Sequence, residues 1–295
     1  MARSLLSLGE THFNWSRQVN NQISAEFYPT NPKVDETISV KFHNLPVLST
    51  VRLETSLTSP GEKLNFLSTC RYPVDSNGTL DLTTTPCDGP SYLGVDPMGI
   101  FWSMDPLPNS LTRLYSSGPL HYSMDLFDMN NQKLFSTSTV RNIYGPEVSR
   151  HDVRSNGIVG TLFVPSGSGP FPAIIKLDGA ARIKEDVAAS LASKGFVVLA
   201  LAYFRYEGLP KDYSHVKVEY FERAVDFLQS LDIVLEGGVG VLGCSKGCDV
   251  ALSMATFLPR HKVQAVVTVN GAITSVGGTT SYGDITIRAH MFRYG

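Results

Sequence analysis

The spacing of hydrophobic and polar positions changes near the middle of the chain. From about Ile23 to Tyr144, apolar and polar residues alternate over short runs such as Thr37-Ile-Ser-Val-Lys-Phe-His43 and Ser49-Thr-Val-Arg-Leu-Glu-Thr-Ser56. A period of two predicts strands with one buried face. Ser59-Pro60-Gly61, Asp75-Ser-Asn77-Gly78 and Met129-Asn-Asn-Gln132 punctuate the runs, and Asn77-Gly78 is the strongest hairpin signal among them. With no convincing helix in between, this half predicts an immunoglobulin-like sandwich. Within it, Tyr92-Leu-Gly-Val-Asp-Pro-Met-Gly-Ile-Phe-Trp-Ser-Met-Asp-Pro106 frames an aromatic cluster around Phe101 and Trp102 with two Asp-Pro breaks. It predicts a loop and strand that bury aromatics in the sandwich core or against the next domain.

Gly145-Pro146 closes this half, and the polar stretch 146–156 predicts a linker. Beyond it, short apolar runs alternate with helical spacings. Gly160–Pro165, Ala173–Leu177 and Phe196–Ala202 predict strands, and Lys184–Lys194 predicts a helix ending at Gly195. Lys217–Leu231 predicts a second helix, with Phe221, Ala224, Val225 and Leu228 on one face. A strand through Val239, Val241 and Leu242 then meets a helix carrying Val250, Ala251, Met254 and Phe257, and Ala265–Val269 predicts a further strand. This rhythm predicts a parallel sheet covered on both faces, with ligands at the carboxyl ends of its strands.

Composition narrows the ligand class. Across 295 residues, a hydrophobic content of 42%, a charged content of 18% and a net charge of −2 exclude disorder and argue against nucleic acid as the main partner. Small molecules are the expected ligands. Cys70, Cys87, Cys244 and Cys248 lack zinc-type spacing and read as reduced thiols, so no metal is expected. No run approaches the ~18 apolar residues of a membrane span. The start reads as neither signal nor transit peptide, although Arg3 and Arg17 leave a mitochondrial address open. The expected compartment is the cytoplasm, with mitochondrion and peroxisome as alternatives.

The chemistry concentrates at Gly243-Cys-Ser-Lys-Gly247. A Gly-x-Ser-x-Gly pentapeptide between strand and helix predicts a sharp turn that thrusts the Ser245 hydroxyl above the sheet edge as a nucleophile, and an α/β-hydrolase domain around it. The alternative is a serine that only caps the following helix. In this fold the oxyanion hole combines the N–H after the nucleophile, here Lys246, with one from the loop after an earlier strand, here near Gly179 or Ala180 in Asp178-Gly-Ala-Ala181. The Lys246 side chain reads as a surface or substrate-facing charge. Cys244 and Cys248 read as small buried hydrophobes.

A triad acid and histidine are harder to find. Nucleophile, acid and histidine follow in that order in this fold, and no strand pair is evident after Val269. Asp284 and His290 stand in the right order but only six positions apart, in what reads as a frayed terminal segment. His261 reads as a loop residue complementing a helix dipole, and His215 as a solvated loop residue beside Tyr213 and Ser214. His43 and His121, in strand-like segments, read as satisfied, half-buried residues.

The ordered series Tyr92–Trp102, Gly169-Pro-Phe-Pro172, Lys194-Gly-Phe196, Leu201-Ala-Tyr203, Glu219-Tyr-Phe221, Gly240–Gly247 and Leu252-Ser-Met-Ala255 resembles the acyl-CoA thioesterase and bile acid-CoA:amino acid N-acyltransferase family. The resemblance implies an N-terminal sandwich joined to an α/β-hydrolase domain. It also implies cleavage of fatty acyl-CoA through an acyl-enzyme resolved by water or by an amino acid amine, with CoA as part of the substrate and no separate cofactor. Serine at position 245, where the transferases are expected to carry cysteine, favours the thioesterase. The family's acid and histidine segments have no matching positions. The expected organisation is an extension over 1–22, a sandwich over 23–145, a linker over 146–156 and a C-terminally incomplete hydrolase domain over 157–295.

Overall fold

The computed structural model describes residues 22–59, 64–110, 118–179 and 183–290. The first half contains β1 (Ser24–Tyr28), β2 (Ser39–His43), β3 (Thr50–Ser59), β4 (Leu64–Pro73), β5 (Leu80–Asp81), β6 (Cys87–Asp88), β7 (Leu93–Gly94), a short helix α1 (Gly99–Trp102), β8 (Asp105–Pro106), β9 (Leu120–Phe127) and β10 (Lys133–Arg141). Two antiparallel sheets, ordered β1-β2-β5 and β10-β9-β3-β4-β8, enclose a common core. Alternation along each strand builds that core: Val40 and Phe42 come from one sheet, and Leu53, Tyr72, Met124 and Leu126 from the other.

The turns differ from the sequence expectation in an instructive way. Asn77-Gly78 does not close a hairpin; it carries the chain from β4 in one sheet to β5 in the other. Gly78 has a φ of 74°, but Asp75 Oδ1 accepts the N–H groups of Asn77 and Thr79, making an Asx-type turn. The β9–β10 hairpin instead closes at Asp128–Gln132, with Asn131 at φ 66°. In the aromatic segment, Tyr92 is buried and Phe101 packs edge-on against Tyr122 beneath the Arg141 guanidinium. Trp102, expected inside, is 63% exposed, with its indole N–H on Asp96. His121 is exposed rather than half-buried.

The second half contains β11 (Ser149–Ser155), β12 (Ile158–Val164), β13 (Ala173–Leu177), α2 (Glu185–Ala192), β14 (Val197–Ala202), β15 (His215–Lys217), α3 (Val218–Gln229), β16 (Val239–Cys244), α4 (Lys246–Phe257), β17 (Val263–Val269), β18 (Thr279–Tyr282) and β19 (Ile285–Ile287). The expected linker over 146–156 is therefore corrected, since 149–155 form the edge strand β11. Asn156 and Gly157, with φ of 49° and 75°, join β11 to β12 as a two-residue hairpin. The strand escapes hydrophobic patterning because an edge exposes most of its side chains.

The six-stranded sheet runs β11-β12-β14-β13-β16-β17. It is mixed rather than wholly parallel: β14, β13, β16 and β17 are parallel, while β12 pairs antiparallel to both β11 and β14. On one face α3 and α4 bury Phe221, Val225, Leu228, Val250 and Met254 against Ile175, Leu177, Val239 and Val241. On the other, α2 packs Ala188, Ala189 and Ala192 over Phe163, Val198 and Ala200. That second layer does not reach β17, where Val267 and Val269 are exposed.

Strands also follow β17, contrary to expectation. They lie outside the main sheet: β18 pairs with β15 and β19, forming a three-stranded sheet of short strands. His215 belongs to this sheet rather than to a loop, with Nδ1 on Thr279 Oγ1 at 2.7 Å. Asp284 occupies the hairpin turn between β18 and β19, and His290 bridges to Val276 with its N–H on the Ser275 carbonyl. The segment is pinned, not frayed.

Candidate active site

Strands β13 and β16 lie side by side with Leu177 opposite Gly243, so the residues that follow them, Asp178-Gly179 and Ser245, meet at one sheet edge. Ser245 has φ 54° and ψ −122°, a conformation that costs a non-glycine residue about 1–3 kcal/mol. The strain is held by the tight passage from β16 into α4. A Cβ on Gly243 would lie 2.3 Å from the Gly247 carbonyl oxygen, and one on Gly247 would lie 2.4 Å from that of Leu177. Only glycines permit this approach of strand and helix.

Ser245 is exposed, and its side chain makes no capping hydrogen bond to α4. The helix-cap alternative is thereby set aside. Lys246, as the first residue of α4, presents an N–H that the helix does not use. Gly179 sits against both: a Cβ there would stand 2.5 Å from Ser245 Cβ and 2.7 Å from both Ser245 Oγ and Lys246 N. Ala180, the other expected donor, lies outside the described residues.

A cavity of about 250 Å³ opens on Ser245 between Tyr213, Asn270, Gly271, Ala272 and Val276. The Lys246 side chain does not face solvent. With 6% of its side chain exposed, it donates to Asp249 Oδ2 at 3.0 Å and to the Val276 carbonyl at 2.9 Å. Asp249 Oδ2 in turn accepts the Val276 N–H at 2.8 Å. The pair ties the pocket wall to α4. The sequence signal was present, because Lys246 and Asp249 stand at helical i, i+3 spacing, but nothing marked that face as buried.

At the end of β13, the buried Asp178 carboxylate pairs with Lys176 and accepts the Lys184 N–H at 3.3 Å, while Tyr203 donates to the Asp178 carbonyl at 2.6 Å. Cys248 is buried against the carbonyls of Gly243 and Val269, and burial pushes its thiol pKa up. That makes it a poor nucleophile. Among the described residues, no histidine lines the Ser245 cavity; Asp284, His290, His261 and His215 all stand elsewhere. No group of metal-ligating side chains occurs among the described residues.

A strained serine between a parallel strand and a helix, with a glycine pressed against it from the neighbouring strand end, defines the α/β-hydrolase class. The chain belongs to the acyl-CoA thioester hydrolase/BAAT family: the model for that family's N-terminal region matches residues 35–155, and the C-terminal model matches residues 216–293. Relatives include acyl-coenzyme A thioesterase 3 of Mus musculus, 39% identical over 86% of this chain and 60% of that protein. Acyl-coenzyme A amino acid N-acyltransferase 1 of Mus musculus is 36% identical over 88% of this chain and 64% of its own length. The mitochondrial acyl-coenzyme A thioesterase 2 of Homo sapiens is 38% identical over 86% and 53%. The chain thus spans less than two thirds of the length of these relatives. Among solved structures, an α/β hydrolase from Penicillium sp. sh18 aligns over 43% of this chain and 47% of its own, at 22% identity and a TM-score of 0.37. No helix among the described residues is long and apolar enough to cross a membrane.

Proposed function

We propose that the chain cleaves fatty acyl-CoA by acyl transfer to Ser245. The observation that carries this reading is the Ser245 backbone, held at φ 54° with its hydroxyl exposed and Gly179 against it. Ser245 Oγ attacks the thioester carbonyl, the Lys246 and Gly179 N–H groups receive the developing oxyanion, and CoA leaves as its thiol. Each N–H of this kind is worth about 3 kcal/mol in the transition state. The N-terminal end of α4 adds a favourable field for the same charge. Relatives named as thioesterases and a serine nucleophile support water as the acyl acceptor.

A thiol-release assay on purified protein tests this: Ser245→Ala should abolish acyl-CoA cleavage, and normal turnover by that variant would sink the assignment.

A second reading, a catalytically impaired relative that binds acyl-CoA, draws on the lack of a histidine along the Ser245 cavity among the described residues. It expects one equivalent of CoA released as a burst, or none, followed by no sustained turnover. Weak steady activity would not separate the two, since oxyanion donors and binding alone sustain about 10³–10⁴-fold over water.

A further inference from the structure

A larger cavity, about 670 Å³, lies beside the Ser245 pocket, and Tyr213 lines both. Its walls come from the connection between β14 and α3, the first turns of α3, and the β18–β19 hairpin. Its charges are unequally committed. Asp212 Oδ1 accepts the Ser214 N–H at 2.9 Å, and Glu219 Oε1 accepts the Gly283 N–H at 2.7 Å. Lys217 and Arg223 are exposed, line the same cavity, and form no ion pair among the described residues. Glu219 Oε2 is buried with no hydrogen-bond partner and feels Lys217 and Arg223 through space, while neither cation spends a donor on an ion pair among the described residues. Tyr213 and Tyr220 add aromatic walls, and the Arg223 guanidinium lies 5.6 Å from the Tyr220 ring centre.

Two exposed cations that form no ion pair, beside aromatic rings, suit a phosphorylated, planar ligand. A hydrocarbon chain fits poorly, because it would strip water from an ammonium and a guanidinium group and return nothing. An amino acid is several times too small, whereas the volume falls in the range of about 300–1,000 Å³ used for ligands of nucleotide size. We propose that this cavity receives an adenine nucleotide bearing a ribose phosphate, the head group of CoA, with Lys217 and Arg223 on the phosphates. The thioester arm would then run past Tyr213 to Ser245. The identification of the nucleotide as part of CoA rests on the acyl-CoA reading above, whereas the phosphate chemistry of the cavity does not.

Calorimetric titration of the whole chain with adenosine 3′,5′-bisphosphate tests the proposal. Binding should occur, weaken as salt rises, and fall about tenfold or more in Lys217→Ala and in Arg223→Ala, both with unchanged melting temperature because the side chains are exposed. Ser245→Ala should bind the nucleotide as the parent does. Failure to bind, binding by both cation variants at the parent's affinity, or displacement of the nucleotide by a sixteen-carbon fatty acid would overturn the proposal. Equal affinity for ADP, which lacks the 3′-phosphate, would overturn the assignment to CoA. Covalent labelling of Ser245 by a fluorophosphonate needs no nucleotide, so loss of labelling with intact binding would remove the hydrolase reading and leave the cavity assignment standing.

Discussion

Two buried lysine–aspartate pairs lie near Ser245, one at the end of β13 and one on the first turn of α4, and they act over very different distances. Lys176 and Asp178 lie two residues apart at the end of β13, where the carboxylate also takes the Lys184 N–H and so fixes the start of the loop that carries Gly179. Lys246 and Asp249 lie on the first turn of α4 but reach Val276, thirty residues past Lys246. The first pair shapes the loop its own strand runs into. The second clamps a distant segment against the start of α4. Burying charge rarely adds net stability, but removing one partner leaves an uncompensated charge inside. The loop that carries Gly179 and the Val276 wall of the cavity therefore each depend on a buried ion pair.

Breaking the long-range pair should have the largest effect. Lys246→Met strands Asp249 in the interior and should cost about 3–5 kcal/mol, read as a lowered denaturation midpoint, together with faster amide exchange in 270–278. Lys176→Met should fall at the low end of that range, about 3 kcal/mol: each aspartate keeps one backbone N–H, that of Lys184 or of Val276, but loss of Lys246 also leaves the Val276 carbonyl without its donor. Equal costs for the two variants would erase the distinction between a local and a long-range anchor. Gly179→Ala places a methyl group within contact of Ser245 and Lys246 N. It should slow Ser245 acylation by about 10²-fold or more, the loss typical of one oxyanion donor.

The smallest effect is expected at the far edge of the sheet. Glu185 accepts two hydrogen bonds from Arg150, each at 2.8 Å, and one from Thr161, also at 2.8 Å, joining α2 to β11 and β12. The Arg150 hydrogen bonds hold the Glu185 carboxyl below its ordinary pKa. A depressed folded-state value contributes stability above the unfolded value, about pH 4.3, and loses it as pH falls through the folded one. The difference in melting temperature between the parent and Glu185→Gln should accordingly shrink as pH drops from 7 to 3. A difference independent of pH would contradict the assignment.

What could be read from the sequence followed from how strongly each element is buried. β13, β14, β16, α3 and α4 sit in the centre of the sheet or against it, and their runs of Ile, Leu, Val and Phe announce them. β11, β15 and β18 are short or exposed, and their largely polar side chains resemble loops until a partner strand is seen, while β19 is only three residues long. Asn156-Gly157 carried a true hairpin signal, as strong as the one at Asn77-Gly78 that led instead into the opposite sheet. At the site, Ser245 and Gly179 were legible because a motif and a strand end mark them. Asp249, Tyr213 and Val276 were not, since their place at the pocket depends on a return of the chain between β17 and β18 that no local pattern encodes.

The account rests on Ser245 as the atom that takes the acyl group. Rapid acid quenching of the protein with a fatty acyl-CoA, followed by peptide mass analysis, tests this most directly. The expected result is an acyl adduct of the substrate's mass on Ser245, absent from Ser245→Ala and much reduced in Gly179→Ala. An adduct on Cys244, Cys248 or any other residue, or CoA release by Ser245→Ala at the parent's rate, would contradict it.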